Sequence, residues 1–255
     1  MERDEAPQGA QLISRAAEVL RAIPRGAPDG RRLRDLAVST GLTEPTVRRI
    51  LLALIHEQFV VQDAETKLYR LGPLAFELGL ASGFHARAVE LCRPHLRALT
   101  SDTGDTSFLA VRTGTETVCL DRADGLQEIE AKVAGIGERI LLGVGTGGVA
   151  LLSAMQDAEI EEVLSAYAYN QSAVSRDEIR ARVATARARG YADISDKPIP
   201  GVRGIGVVVP TERGLPTLSL SIVASHERMS EEHLHRILPI LRMTAERIGA
   251  ALDLH

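Results

Sequence analysis

The sequence predicts a mixed α+β chain in two parts, an N-terminal winged helix-turn-helix and a larger antiparallel sheet domain flanked by helices. Three observations predict it. Residues 12–71 run helix, helix, turn, helix and then two short β-rich stretches. Residues 106–122 and 202–224 are two pairs of strand runs, each pair joined by turn signals. The helical periods of the second half are grouped between and after those pairs, where a doubly wound fold would alternate them with single strands.

Composition sets the limits within which this reading holds. A chain of 255 residues with 45% hydrophobic and 25% charged residues is that of an ordinary globular protein with a sizeable core, which excludes extensive disorder. No run approaches the ~18 consecutive apolar residues of a membrane span, and the acidic start Met1-Glu2-Arg3-Asp4-Glu5 is unlike a secretory signal. The expected location is the cytoplasm, with no membrane partner. Cys92 and Cys119 are too few for a disulfide framework and wrongly spaced for a zinc knuckle. A net charge of -4 argues against nucleic-acid binding by the whole surface, but residues 31–72 carry seven basic and five acidic groups.

The first part, residues 10–72, opens with a helical period at Leu12, Ile13, Ala16, Val19, Leu20 and Ile23 that Pro24 ends. A Pro- and Gly-rich loop follows. Leu33, Leu36 and Ala37 stand at i, i+3 and i+4, with Arg34 on the opposite face. Gly41 then breaks the pattern, because glycine at a helix end accepts positive φ cheaply. Thr43 is an expected N-cap, Glu44 suits the positive helix end, and Pro45 is tolerated in the first turn. Val47, Ile50, Leu51, Leu54 and Ile55 form the buried stripe of this third helix, leaving Thr43, Pro45, Thr46, Arg48 and Arg49 outward. Phe59–Val61 and Lys67–Leu71 read as a hairpin with a polar tip.

The major groove is about 12 Å wide and admits one helix, whose first turns reach base edges. Arg48 and Arg49 are the expected base or backbone contacts. Lys67 and Arg70 on the hairpin would lie along neighbouring phosphates. A protein-contact module of the same shape is the rival reading.

Residues 73–85, with Leu74, Phe76, Leu78 and Leu80, read as a linker helix. The second part, residues 86–255, begins with a helix to Ser101. The runs Thr106–Arg112 and Glu116–Arg122 flank the turn Thr113-Gly114-Thr115. Val202–Val209 and Thr217–Ala224 bracket Glu212–Pro216, and helices are expected over 159–164, 177–189 and 231–252. In the run from Thr217 to Val223, alternation places Thr217, Ser219, Ser221 and Val223 on one face and Leu218, Leu220 and Ile222 on the other.

Leu36 through Leu51, with Tyr69-Arg70-Leu71-Gly72-Pro73, resembles the N-terminal domain of the IclR family of bacterial transcription regulators. The runs Leu109–Arg112, Cys119–Arg122, Gly143–Leu152, Arg189–Ala192, Gly201–Ile205 and Leu218–Ser221 fall in that family's order. The resemblance covers about residues 10–252. It implies an effector domain with a GAF-like sheet, a dimer of dimers, and a glycine loop beside the effector cavity whose amides could receive a carboxylate. It also implies that Val208 and Ser221 line that cavity. Val223 stands where a serine is frequent, and Val149 where many members have lysine. Leu126, Ile129, Val144, Gly145, Thr146 and Ser219 complete the expected wall. No catalytic residue, cofactor or metal is assigned.

The competing reading rests on Gly143-Val144-Gly145-Thr146-Gly147-Gly148, which fits G-x-G-x-x-G after an apolar run and before a helix. Under that reading the chain is an NAD(P)-dependent oxidoreductase. Against it, a dinucleotide fold continues into a parallel strand within ~30 residues, and the following ~40 residues here are mainly helical. Asp121-Arg122 reads as a structural ion pair because strand neighbours face opposite sides. His233 and His235, two apart on a helix, do not converge on a metal; His56, His85, His95 and His226 carry no spacing signal. The expected function is therefore a ligand-responsive regulator of a catabolic operon, commonly a repressor in this family. It would bind a pseudo-palindromic double-stranded operator as a dimer and sense a small organic or aromatic acid.

Overall fold

The computed structural model describes residues 10–24, 29–81, 84–126, 135–166, 169, 172–196, 199–211 and 218–253. The chain forms two compact units, residues 1–86 and 87–255. In the first, α1 (Gln11–Ala22), α2 (Leu33–Thr40) and α3 (Glu44–His56) precede β1 (Val60–Gln62), β2 (Tyr69–Leu71) and α4 (Pro73–Ala81). One cluster holds the three helices to the hairpin, with Val19, Ile23, Leu36, Val47, Leu51 and Tyr69 at its centre. Each such side chain contributes on the order of 1.5–3 kcal/mol by leaving water. Gly41 ends α2 in the left-handed region at φ +67°, and α3 starts three residues later. At the hairpin tip, the Asp63 carboxylate accepts hydrogen bonds from the Glu65 and Thr66 amides at 3.0 and 2.8 Å. Arg31 adds a one-residue bridge to Tyr69, so the wing has a third, minimal strand that periodicity did not reveal.

The second unit is built on a six-stranded, wholly antiparallel sheet. Its strands are β3 (Thr106–Thr113), β4 (Glu116–Ala123), β5 (Arg139–Leu141), β6 (Ala192–Ser195), β7 (Val202–Val208) and β8 (Leu218–Ser225), in the order β5-β4-β3-β8-β7-β6. The helices are α5 (Phe84–Thr103), α6 (Thr146–Ser153), α7 (Asp157–Ser165), α8 (Arg176–Arg189) and α9 (Glu231–Asp253). Leu109, Leu218, Leu220 and Ile222 face α5 and α9, meeting Leu96, Leu99, Ile237 and Leu241. The alternate residues face the other way and are covered partly by α6.

The dinucleotide reading fails on this topology. The strand before the glycine loop, β5, and the strand after the next helices, β6, lie at opposite edges of the sheet and no pair is parallel. The glycines serve close backbone approach instead, Gly147 to the sheet and Gly148 to its own loop. A Cβ at Gly147 would lie 2.8 Å from Ser219 Oγ, and one at Gly148 2.9 Å from the Gly143 nitrogen. Across the contact, Cβ atoms at Gly204 and Gly206 would come within 2.5 and 3.0 Å of the Thr146 side chain. Bare backbone on both sides therefore lets the first turn of α6 press onto β7 and β8.

Gly148→Ala sets a methyl against backbone that cannot rotate away, an overpacking cost of about 1–3 kcal/mol. Urea unfolding of the full chain should show that loss; an unchanged midpoint would mean that α6 is free to lift from its loop.

Candidate functional site

Two places concentrate exposed or cavity-facing polar groups. The first is the opening of α3. Because Val47, Ile50, Leu51 and Leu54 are buried, the helix must turn Thr43, Pro45, Arg48 and Arg49 outward, and all four are exposed. Thr46 is half-buried. Arg34 on α2 and Lys67 at the hairpin are also exposed. The side chains of Arg34, Arg48, Arg49 and Lys67 make no hydrogen bond or ion pair with any described residue. Four cations thus keep their charge uncommitted on one small unit. Arg70 differs, since its Nε donates to the Asp29 carbonyl at 2.7 Å. Thr43 stands at the N-cap of α3 as expected, with extended backbone, but its Oγ1 lies 2.9 Å from Thr46 Oγ1 and no side chain caps the helix amides.

The second place is a cavity of about 110 Å³ between α6 and the sheet face opposite α5 and α9. Its wall is mainly apolar, with Phe108, Ile140, Ile194 and Val223 prominent. Gly145, Thr146 and Gly147 form one side, where α6 begins with Gly145 as N-cap and no side-chain cap. Of the residues expected to line it, Gly145, Thr146, Ser221 and Val223 do. Ser219 lies behind the wall against Gly147, its buried Oγ without a partner among the described residues. Val208 packs beside Val149 and Ile194, and Val144 against the α7–α8 cluster. Leu126 is 86% exposed, because the chain has left β4 and turned outward there. Ile129 lies outside the described residues. Val149 is fully buried.

The cavity also gathers residues that the sequence reading missed. Phe108, Thr117 and Cys119 alternate with the core-facing Leu109 and Val118, so strand period alone could have found them. Glu138 could not be found that way, since it follows a turn outside any period. Burial pushes the Cys119 thiol up to about 12, with Asp121 adding to the shift, so it remains neutral in the cavity wall near neutral pH.

Comparison with known proteins places these features. The model described as "Bacterial transcriptional regulator IclR C-terminal" matches residues 85–250, and the IclR helix-turn-helix domain matches residues 12–64. The chain belongs to the IclR family. Among its relatives, the HTH-type transcriptional repressor AllR of Klebsiella pneumoniae is 25% identical, over 98% of this chain and 92% of that protein. The HTH-type transcriptional regulator TtgV of Pseudomonas putida is 27% identical, over 95% and 93%. An IclR homologue from Microbacterium hydrocarbonoxydans, solved with 4-hydroxybenzoate, has the same fold with a TM-score of 0.73. It is 21% identical and aligns over 96% of this chain and all of that one. These matches are to transcription regulators, and with the antiparallel sheet they overturn the oxidoreductase alternative.

This IclR-family chain also carries a polar cluster that no local pattern signals. Asp105, whose side chain is fully buried, accepts from Arg228 Nε and lies 2.6 Å from His233 Nε2. Arg236 donates to His233 Nδ1 at 2.8 Å, which puts the histidine proton on Nε2, towards Asp105. Asp121 pairs with Arg93 of α5 at 3.0 Å, while its neighbour Arg122 pairs with Asp124 and lies over the Phe108 ring. The two do face opposite sides, and the expected Asp121–Arg122 ion pair is replaced by these separate partners. His226 lies 3.0 Å from Asp196.

Asp105→Ala leaves Arg228 and His233 without their buried acceptor. Breaking such a group costs about 3–5 kcal/mol, and here the lower end is expected because Arg228 also donates to the Thr103 carbonyl. Thermal unfolding of the variant should show a loss of that order; one below about 0.5 kcal/mol, the usual range for exposed sites, would mean the cluster is solvated in solution.

Proposed function

We propose that this chain is a ligand-responsive repressor of a catabolic operon that reads a pseudo-palindromic operator as a dimer or dimer of dimers and senses a small organic or aromatic acid. The observation that carries the reading is the uncommitted charge at the start of α3: Arg48 and Arg49 are exposed, unpaired among the described residues, and mounted on a helix held by its other face. Guanidinium groups so placed suit bidentate contact to guanine edges in the major groove, and Lys67 suits phosphate. One such module binds weakly, so two half-sites are expected.

The dimer is supported by α4. Phe76, Leu78 and Leu80 are each more than half exposed and no described residue of this helix is buried, a surface that a second copy would cover. The acid is supported by the uncapped first turn of α6, whose amides and positive dipole end favour an anion. The apolar wall, with Phe108, Ile140, Ile194 and Val223, suits the hydrocarbon body of a small acid. The Microbacterium homologue's 4-hydroxybenzoate belongs to this class. For a useful switch the acid must favour one arrangement of the protein by about 1–3 kcal/mol.

Gel retardation on DNA upstream of the protein's own reading frame, run against aliphatic and aromatic carboxylates, tests the whole reading. Arg48→Ala or Arg49→Ala should cost about 1–3 kcal/mol of operator affinity and relax specificity at one position. Lys67→Ala should weaken all sequences alike and reduce the salt slope by about one. Wild-type affinity in both arginine variants at a fixed salt concentration would remove the assignment of α3.

A further inference from the structure

The cavity holds a charge that an acid-binding site does not need. Glu138 is the one carboxyl side chain among the described residues that line it, and no lysine, arginine or histidine is among them. Its position is fixed from both sides. The Glu138 carbonyl accepts from the Cys119 amide at 3.0 Å, and its Oε2 accepts from the Gly135 amide at 2.8 Å. The other carboxylate oxygen, Oε1, has no partner among the described residues. Phe108, Ile140 and Val223 supply apolar wall around the same space.

An acceptor of this kind, part-buried and half satisfied, discriminates. A ligand whose apolar edge or own anion faces it forces the carboxylate to give up water for nothing, whereas one that offers an O–H or N–H replaces the lost hydrogen bond. We propose that Glu138 is a specificity-determining residue, and that the effector is a small acid bearing a second group, a hydroxyl or amine, that donates to Glu138 Oε1. This rests on the small-acid reading above, with the acid at the first turn of α6.

The test is calorimetric titration of the full-length protein, wild type and Glu138→Gln, with three probes: 4-hydroxybenzoate, benzoate and 4-methylphenol. A charge-assisted hydrogen bond corresponds to about tenfold or more in affinity. The wild type should bind 4-hydroxybenzoate about tenfold tighter than benzoate, and Glu138→Gln, with an unchanged melting temperature, should bring that ratio close to one. If benzoate binds the wild type as tightly as 4-hydroxybenzoate, or the variant leaves the ratio unchanged, the role of Glu138 is overturned while the acid reading stands. If 4-methylphenol matches 4-hydroxybenzoate and the variant weakens both, the Glu138 contact stands and the acid reading falls. Binding of none of the three overturns both.

Discussion

Burial of one stripe of α3 decides what the first unit can offer to another molecule. Val47, Ile50, Leu51 and Leu54 are held against α1, α2 and the hairpin, and a helix with one face pinned has no freedom over what the opposite face displays. Arg48 and Arg49 follow Val47 directly, so they are carried outward by the 3.6-residue period itself. Their side chains have no hydrogen-bond or ion-pair partner within the described residues, and this is the displayed charge on which the proposed contact with a DNA groove rests. The hairpin extends that surface with Lys67, whose backbone takes φ +60° at the end of a tip held by Asp63.

In the second unit, an equivalent constraint comes from the absence of side chains. α6 lies on β7 and β8 because Gly147, Gly204 and Gly206 leave nothing between the two backbones except Thr146 and Ser219, while Gly148 lets the same turn close onto the Leu142–Gly143 loop. That approach closes one side of the cavity and aims an uncapped helix start at it. The opposite face of the same sheet is ordinary aliphatic core against α5 and α9. One sheet thus separates a packed face from a face that borders a cavity, and strand alternation sorts residues between them, as with Leu218, Leu220 and Ile222 against Ser221 and Val223.

Much of this was legible in the sequence where a local rule governs. The α2–Gly41–α3 turn, the α3 stripe, the β3–β4 hairpin and the two faces of β8 each follow from period or turn chemistry within about ten residues. What was missed depends on distant partners. β5 and β6 are three and four residues long and are defined by pairing at the sheet edges, so neither shows a period of its own. The glycine loop matched a dinucleotide pattern because both settings need close backbone approach, and only topology separates them. Asp105 meets Arg228 and His233 across more than a hundred residues, and Glu138 reaches the cavity from a turn. The resemblance to the IclR family supplied the fold of the second unit more firmly than its residues alone did, while Leu126 shows that a carried-over wall position need not face the cavity here.

The most direct measurement is methylation interference on a sequence selected by the full-length protein from random duplex DNA. Methylation at guanine N7 alters the major-groove edge, whereas methylation at adenine N3 alters the minor groove. The account predicts that N7 methylation within two symmetric half-sites blocks binding, and that adding Arg48→Ala relieves the block at a defined guanine. Interference confined to adenine N3, or failure of the selection to converge on any sequence, would contradict the claim that the exposed start of α3 reads base edges.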